Sequence, residues 1–195
     1  MTNMANYLCR ATNPRIPDYL VIKVSVPTGQ TMHAGDVFPV VELDDSIANN
    51  YQVFTGTQPA TANLGVRMAI VINDGFETLE DGRRPAGQPD YTQYTYGEGE
   101  VVTAILMVPG LVFEISNDCV TNGTSAVVGD FVEPVNGAYA MSRVASATGR
   151  TASTKSGMKV LYVGKNFRMG GQFGSNFIQT MVCMVEDADN ATAGG

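Results

Sequence analysis

The feature that most constrains this fold is the lack of any sustained helical repeat of apolar residues. No segment keeps apolar side chains at i, i+3, i+4 and i+7 over three turns. What recurs instead are short apolar runs cut by Gly, Pro and Asn. They are Tyr19–Val26, Val37–Leu43, Tyr51–Thr55, Val66–Ile72, Val101–Val108, Leu111–Ser116, Phe131–Val135, Ala138–Val144, Met158–Val163 and Phe177–Glu186. Val, Ile, Tyr, Phe and Thr dominate them, and these residues suit a pleated, half-buried surface. With 21 glycines and 9 prolines available for turns, the pattern predicts an all-β protein: a β-barrel or β-sandwich core with long loops, extended terminal arms and little helix.

Turn chemistry refines this. Pro109-Gly110 separates two runs. Asn136-Gly137 predicts a two-residue hairpin, because both residues tolerate positive φ. Asn73-Asp74-Gly75 is a third break. An Asp at 44 or 45 could cap a short helix through Asn50, and Ser116-Asn117-Asp118 could open a single turn. Gly35-Asp36 and Gly129-Asp130 each lead into a run, with Gly for the bend and Asp bonding back to nearby amides. Two occurrences do not by themselves define a tandem repeat. The expected organisation is an N-terminal arm over 1–17, a β-rich domain over 18–186 with an inserted loop at 78–99, and a C-terminal tail over 187–195. Ser146 to Gly157, nearly free of apolar residues, reads as a second long loop.

Composition narrows the partners. Hydrophobic residues make up 44% of the chain, enough for a sizeable core, but charged residues only 16%, against about 25% in an average protein. A surface of Thr, Asn, Ser, Gln and Gly suits a chain that lies against another protein, since burying ionised groups is costly. The net charge of −7 and the scattered basic residues disfavour nucleic acid and anionic membrane as partners. No signal-peptide pattern is read near residues 1–15, and no run approaches the roughly 18 apolar residues of a membrane span. Cys9, Cys119 and Cys183 are odd in number and widely spaced, so the expectation is three free, buried thiols in a chain made in a reducing cytoplasm.

The chemical motifs are weak. His33 is the only histidine, so any nucleophile–histidine chemistry would depend on it, and its place before a Gly-Asp turn reads as structural. One His and three dispersed Cys match no zinc spacing. Gly164-Lys165 lacks the upstream Gly and following Ser or Thr of a phosphate loop. Gly170-Gly171-Gln172-Phe173-Gly174 lacks the strand–helix setting of a dinucleotide site. The acidic pairs Asp44-Asp45 and Glu98 with Glu100 have no aromatic platform beside them, and Glu186-Asp187-Ala188-Asp189 reads as a solvated tail. No catalytic, cofactor-binding or metal site is therefore expected, and the chain reads as a binding protein and not an enzyme. The strongest local feature is Tyr91, Tyr94 and Tyr96: tyrosines give large contact area at low entropic cost, although an ordinary edge strand would look the same.

The stretch from Tyr91 to Val102, continuing through Val108–Ser116 and then Val128–Val132, resembles small β-barrel structural proteins of tailed bacteriophages, including head decoration (cement) proteins. The likeness covers roughly residues 35–145 and lies in the style and order of elements. It implies a virion protein on the outside of an icosahedral capsid, made in the host cytoplasm. Its partners would be the major capsid protein, whose neighbouring subunits it bridges, and copies of itself, as in a homotrimer. The residues expected at contacts are Tyr7, Leu8, Arg10 and Arg15 in the arm, and Arg83, Arg84, Tyr91, Tyr94 and Tyr96 in the long loop. A tail, neck or head-fibre component, a carbohydrate-binding β-sandwich and a two-acid hydrolase using Glu98, Glu100 or Glu114 are the alternatives. The absence of Trp weighs against the sugar-binding one.

Overall fold

The computed structural model describes residues 5–46, 52–73, 94–150, 154–167 and 177–187. These form an all-β fold of twelve strands. In chain order they are β1 (Cys9–Ala11), β2 (Val21–Ser25), β3 (Val37–Pro39), β4 (Val53–Thr55), β5 (Met68–Val71) and β6 (Val101–Leu106). There follow β7 (Val112–Ser116), β8 (Val120–Thr121), β9 (Phe131–Glu133), β10 (Met141–Val144), β11 (Ser156–Phe167) and β12 (Phe177–Asp187). Among the described residues helix is limited to single 3-10 turns such as Asp18–Leu20 and Asn117–Cys119. A larger sheet orders β1-β7-β12-β11-β9-β10-β8 and a smaller one β3-β5-β6-β2-β4, each curled into a half-barrel.

The main core lies between the two sheets. The larger sheet contributes Cys9, Phe113, Ile115, Val132, Met141, Met158, Val160, Met181, Cys183 and Val185. Facing them are Val37, Met68, Ile70 and Ile105 of the smaller sheet. The opposite face of the smaller sheet builds a second core from Val24, Phe38, Ala69, Val71, Val102 and Ala104, roofed by Met32, Tyr96 and Tyr139. The smaller sheet is thus buried on both faces, so its central strands read as continuous apolar runs instead of alternating ones.

The two sheets repeat one topology. Each has four antiparallel strands in the same connectivity, β3-β5-β6-β2 in one and β9-β11-β12-β7 in the other. The register also coincides: Val37, Ile70, Ile105 and Val21 lie abreast in the first, and Phe131, Lys159, Met184 and Val112 in the second. The Gly-Asp turns are the same device in both. Gly35 and Gly129 have φ of 91° and 94°. Asp36 Oδ2 accepts the His33 amide and Asp130 Oδ2 the Val127 amide. Gly35 and Asp36 together bond Val71, as Gly129 and Asp130 bond Val160, which is the two-against-one pairing of a glycine bulge.

Several expectations change. Residues 5–17 are not a free arm in this fold: Cys9–Ala11 pairs antiparallel with β7. Asn73 holds it there, its Oδ1 accepting the Cys9 amide at 2.6 Å and its Nδ2 donating to the Tyr7 carbonyl. Asn136-Gly137 is not a two-residue hairpin turn, since only Gly137 has positive φ. Asn136 Oδ1 instead accepts the Thr61 amide, inside the connection between β9 and β10. In the expected second loop, Arg150 pairs with Glu133 at 3.0 Å and donates to the Glu186 and Thr154 carbonyls, which fixes the described residues on either side of it. The helix expected through Asn50 reaches residues outside those described, as do most of the 78–99 loop and all of the tail beyond Asp187.

Candidate partner-binding surface

The expected contact residues separate into three groups. Leu8 and Tyr96 are core residues, 5% and 8% exposed, because each lies on a segment packed into the fold. Arg83, Arg84 and Tyr91 lie outside the described residues. Tyr7, Arg10, Arg15 and Tyr94 keep surface.

Tyr7 is half-buried and stacks on His33, ring centroids 4.0 Å apart. Burial and the nearby Asp36 carboxylate push its phenol above the ordinary value. His33 ties three segments together: it touches Tyr7, lies 3.1 Å from Thr95 Oγ1 through Nε2 and 3.6 Å from Asp36 Oδ2 through Nδ1. Thr95, His33 and Asp36 fall in the order of a nucleophilic relay. However, 3.6 Å is too long for a hydrogen bond, and that oxygen already accepts the His33 amide. The group is better read as a clamp between the N-terminal segment and the roof of the second core. Tyr94 and Tyr96 do share a side, packed edge to face at 5.1 Å. Tyr94 donates to Glu100 Oε1 at 2.8 Å, and that bond, which favours the protonated phenol, raises its pKa.

Arg10 leads to the surface that sequence reasoning missed. It lies on the outer face of the larger sheet, where Arg10, Glu114, Val182 and Tyr162 are abreast across four strands. The neighbouring row is Val112, Met184, Lys159 and Phe131. Arg10 bonds Glu114 Oε2 through Nε at 2.7 Å and Nη2 at 2.6 Å, while Thr180 Oγ1 donates to Oε1. This leaves the face with an apolar middle of Val112, Val182, Met184, Phe131 and Tyr162, with the Arg10–Glu114 pair on one side and the Arg150–Glu133 pair, beside Gly157, on another. Leu161 and Tyr162 stand out from it, 42% and 60% exposed. A bulge between Val160 and Tyr162 sets this placement, because one extra residue in a strand switches the face of all that follow. Tyr162 leans over Gly164, where an added Cβ would collide with the ring.

Among the described residues no group of three or more His, Cys, Asp or Glu side chains is placed to hold a metal ion, and no helix is long and apolar enough to cross a membrane. The thiols are free and buried. Loss of hydration pushes Cys119 and Cys183 up to about 12 and Cys9 well above its ordinary value. Comparison with protein-family models, curated proteins and solved structures found no match.

Proposed function

We propose that this chain is a virion structural protein that binds the outside of an icosahedral capsid and braces it by bridging major capsid subunits. The observation that carries the reading is the outer face of the larger sheet. Val112, Phe131, Val182 and Met184 are only half-covered there, and Leu161 and Tyr162 are exposed. A contiguous apolar face on a folded domain is a signature of protein–protein contact. Tyr162 has the size and amphipathic character of an interface anchor. The low charge of the chain and its likeness in style to phage head decoration proteins set the partner class. Many modest contacts repeated over a shell sum by avidity, so a small domain suffices.

The test is to add the purified chain to phage heads that lack it, pellet the heads, and heat them. The reading expects the chain in the pellet and a higher temperature of head disruption. Heads that pellet without it and break at an unchanged temperature would overturn the proposal.

A further inference from the structure

The repeated topology shows what kind of surface the outer face is. Matching the two sheets by register makes Val37, Ile70, Ile105 and Val21 the counterparts of Phe131, Lys159, Met184 and Val112. Leu20 and Leu111 also correspond. Each stands one residue before its strand, closes a turn onto the carbonyl three residues back, and is buried. The faces follow the same correspondence. The side of the smaller sheet that carries Val37, Ile70 and Ile105 is the one that stacks on the larger sheet. Its counterpart on the larger sheet is the outer face, where Arg150 lies over one end at Gly157 but Val112, Phe131, Val182 and Met184 stay half-buried and Leu161 and Tyr162 exposed.

We infer that the chain is an internal duplication of one β-unit and that the outer face of its second unit pairs with the same face of a second copy of this chain. In the first unit this face is closed by a sheet of the same construction, so a sheet of this fold is the occupant the geometry suits. Head-to-tail stacking is blocked: the only sheet face that would continue it is already roofed by Met32, Tyr96 and Tyr139. A two-fold contact, face against identical face, remains.

Charge favours it. The chain carries −7 overall, so two copies repel. On this face Arg10, Lys159 and Arg150 balance Glu114, Glu186 and Glu133. Two acidic molecules meet here with the least repulsion. Five strands about 4.8 Å apart and about five residues long give a face of roughly 20 by 17 Å. Two such faces bury about 700–1,000 Å², at the low end of specific interfaces. The pair is therefore weak and concentration-dependent. It rests on the reading of this face as a protein interface and names its occupant: two copies, each seated on a different capsid subunit through its remaining surface, are joined across this face and form a brace.

The test is sedimentation equilibrium of the full chain alone, from about 5 to 500 µM, which brackets the roughly 10–100 µM dissociation constant expected for so small a contact. The average mass should climb from one chain toward two. Tyr162→Asp and, as a second variant, Leu161→Asp should hold it at one chain while keeping the wild-type melting temperature. Tyr19→Asp, at a position 78% exposed on the smaller sheet's side, should climb as wild type does. A wild-type mass fixed at one chain, a rise to three, or variants that climb unchanged would overturn the pairing. Binding to heads is measured separately. A monomer that still coats heads refutes the pair and leaves the proposed function standing, and a pair that ignores heads does the reverse.

Discussion

Replacing Arg150 by Met should be the most damaging single change among the polar residues described. Arg150 and Glu133 have side chains only 1% and 2% exposed and lie 3.0 Å apart. The guanidinium also donates to the Glu186 carbonyl at 2.6 Å and the Thr154 carbonyl at 3.2 Å, so it ties residues 150 and 154 to the sheet. Met fills similar volume but removes the cation that neutralises the buried Glu133 carboxylate, at a cost of about 3–5 kcal/mol. Total stabilities of folded domains run to about 5–15 kcal/mol, so much of the margin goes. For a chain of this length that corresponds to a drop in Tm of about 6–20 °C. Urea unfolding followed by circular dichroism measures it. Adding Glu133→Leu should recover most of the loss, because the buried charge that is no longer neutralised, and not the missing attraction, is the main cost. A loss under about 1 kcal/mol for Arg150→Met, or a double variant no better than the single, would refute this reasoning.

Three further outcomes follow from the same geometry. Gly35→Ala and Gly129→Ala share nearly the same φ. At 35, however, the new Cβ lies 2.6 Å from Cys119 Sγ, whereas at 129 the nearest atom is 4.0 Å away. Strain alone should cost about 1–2 kcal/mol at 129, with about 1–3 more from overpacking at 35, read from urea midpoints. For Asp130, burial pushes the carboxyl up, but Arg143 at 2.6 Å and the Val127 and Ser146 amides outweigh it and hold the pKa below the ordinary value. The folded state then binds fewer protons than the unfolded one, so this stability is present above about pH 4 and lost as pH falls through the folded pKa. The gap between wild type and Asp130→Asn should narrow on acidification, and a constant gap from pH 6 to 2.5 would count against the ion pair. Finally, all three thiols should resist a disulfide reagent at pH 8 while folded and react together in denaturant, whereas rapid native labelling would contradict their burial.

Most of the architecture was legible because strands announce themselves by residue type and punctuation. Each of the ten apolar runs coincides with a strand, eight of them trimmed at one or both ends and two, β11 and β12, running past the apolar residues. What escaped was β1 and β8, three and two residues long, too short to show alternation. The clamp at Arg150 escaped because a polar stretch looks like a loop whether or not one of its side chains is buried. The duplication left a single visible trace, Gly35-Asp36 against Gly129-Asp130, because the matching positions otherwise hold different residues, such as Ile70 and Lys159. Only pairing register reveals it. The outer face was hidden for a related reason: the bulge after Val160 interrupts the alternation that would have placed Tyr162 outside. Arg10 was read as a contact residue, and the structure puts it on that face, although the arm assigned to it is a strand.

The measurement that tests the central claim most directly is the number of copies bound per head at saturation, with their location. Heads lacking the chain are incubated with an excess, freed of unbound protein, and analysed by quantitative mass spectrometry and electron cryo-microscopy. The account predicts a copy number approaching that of the major capsid protein, with density on the outer surface joining neighbouring subunits. A handful of copies confined to one vertex or to the tail, or none at all, would contradict it.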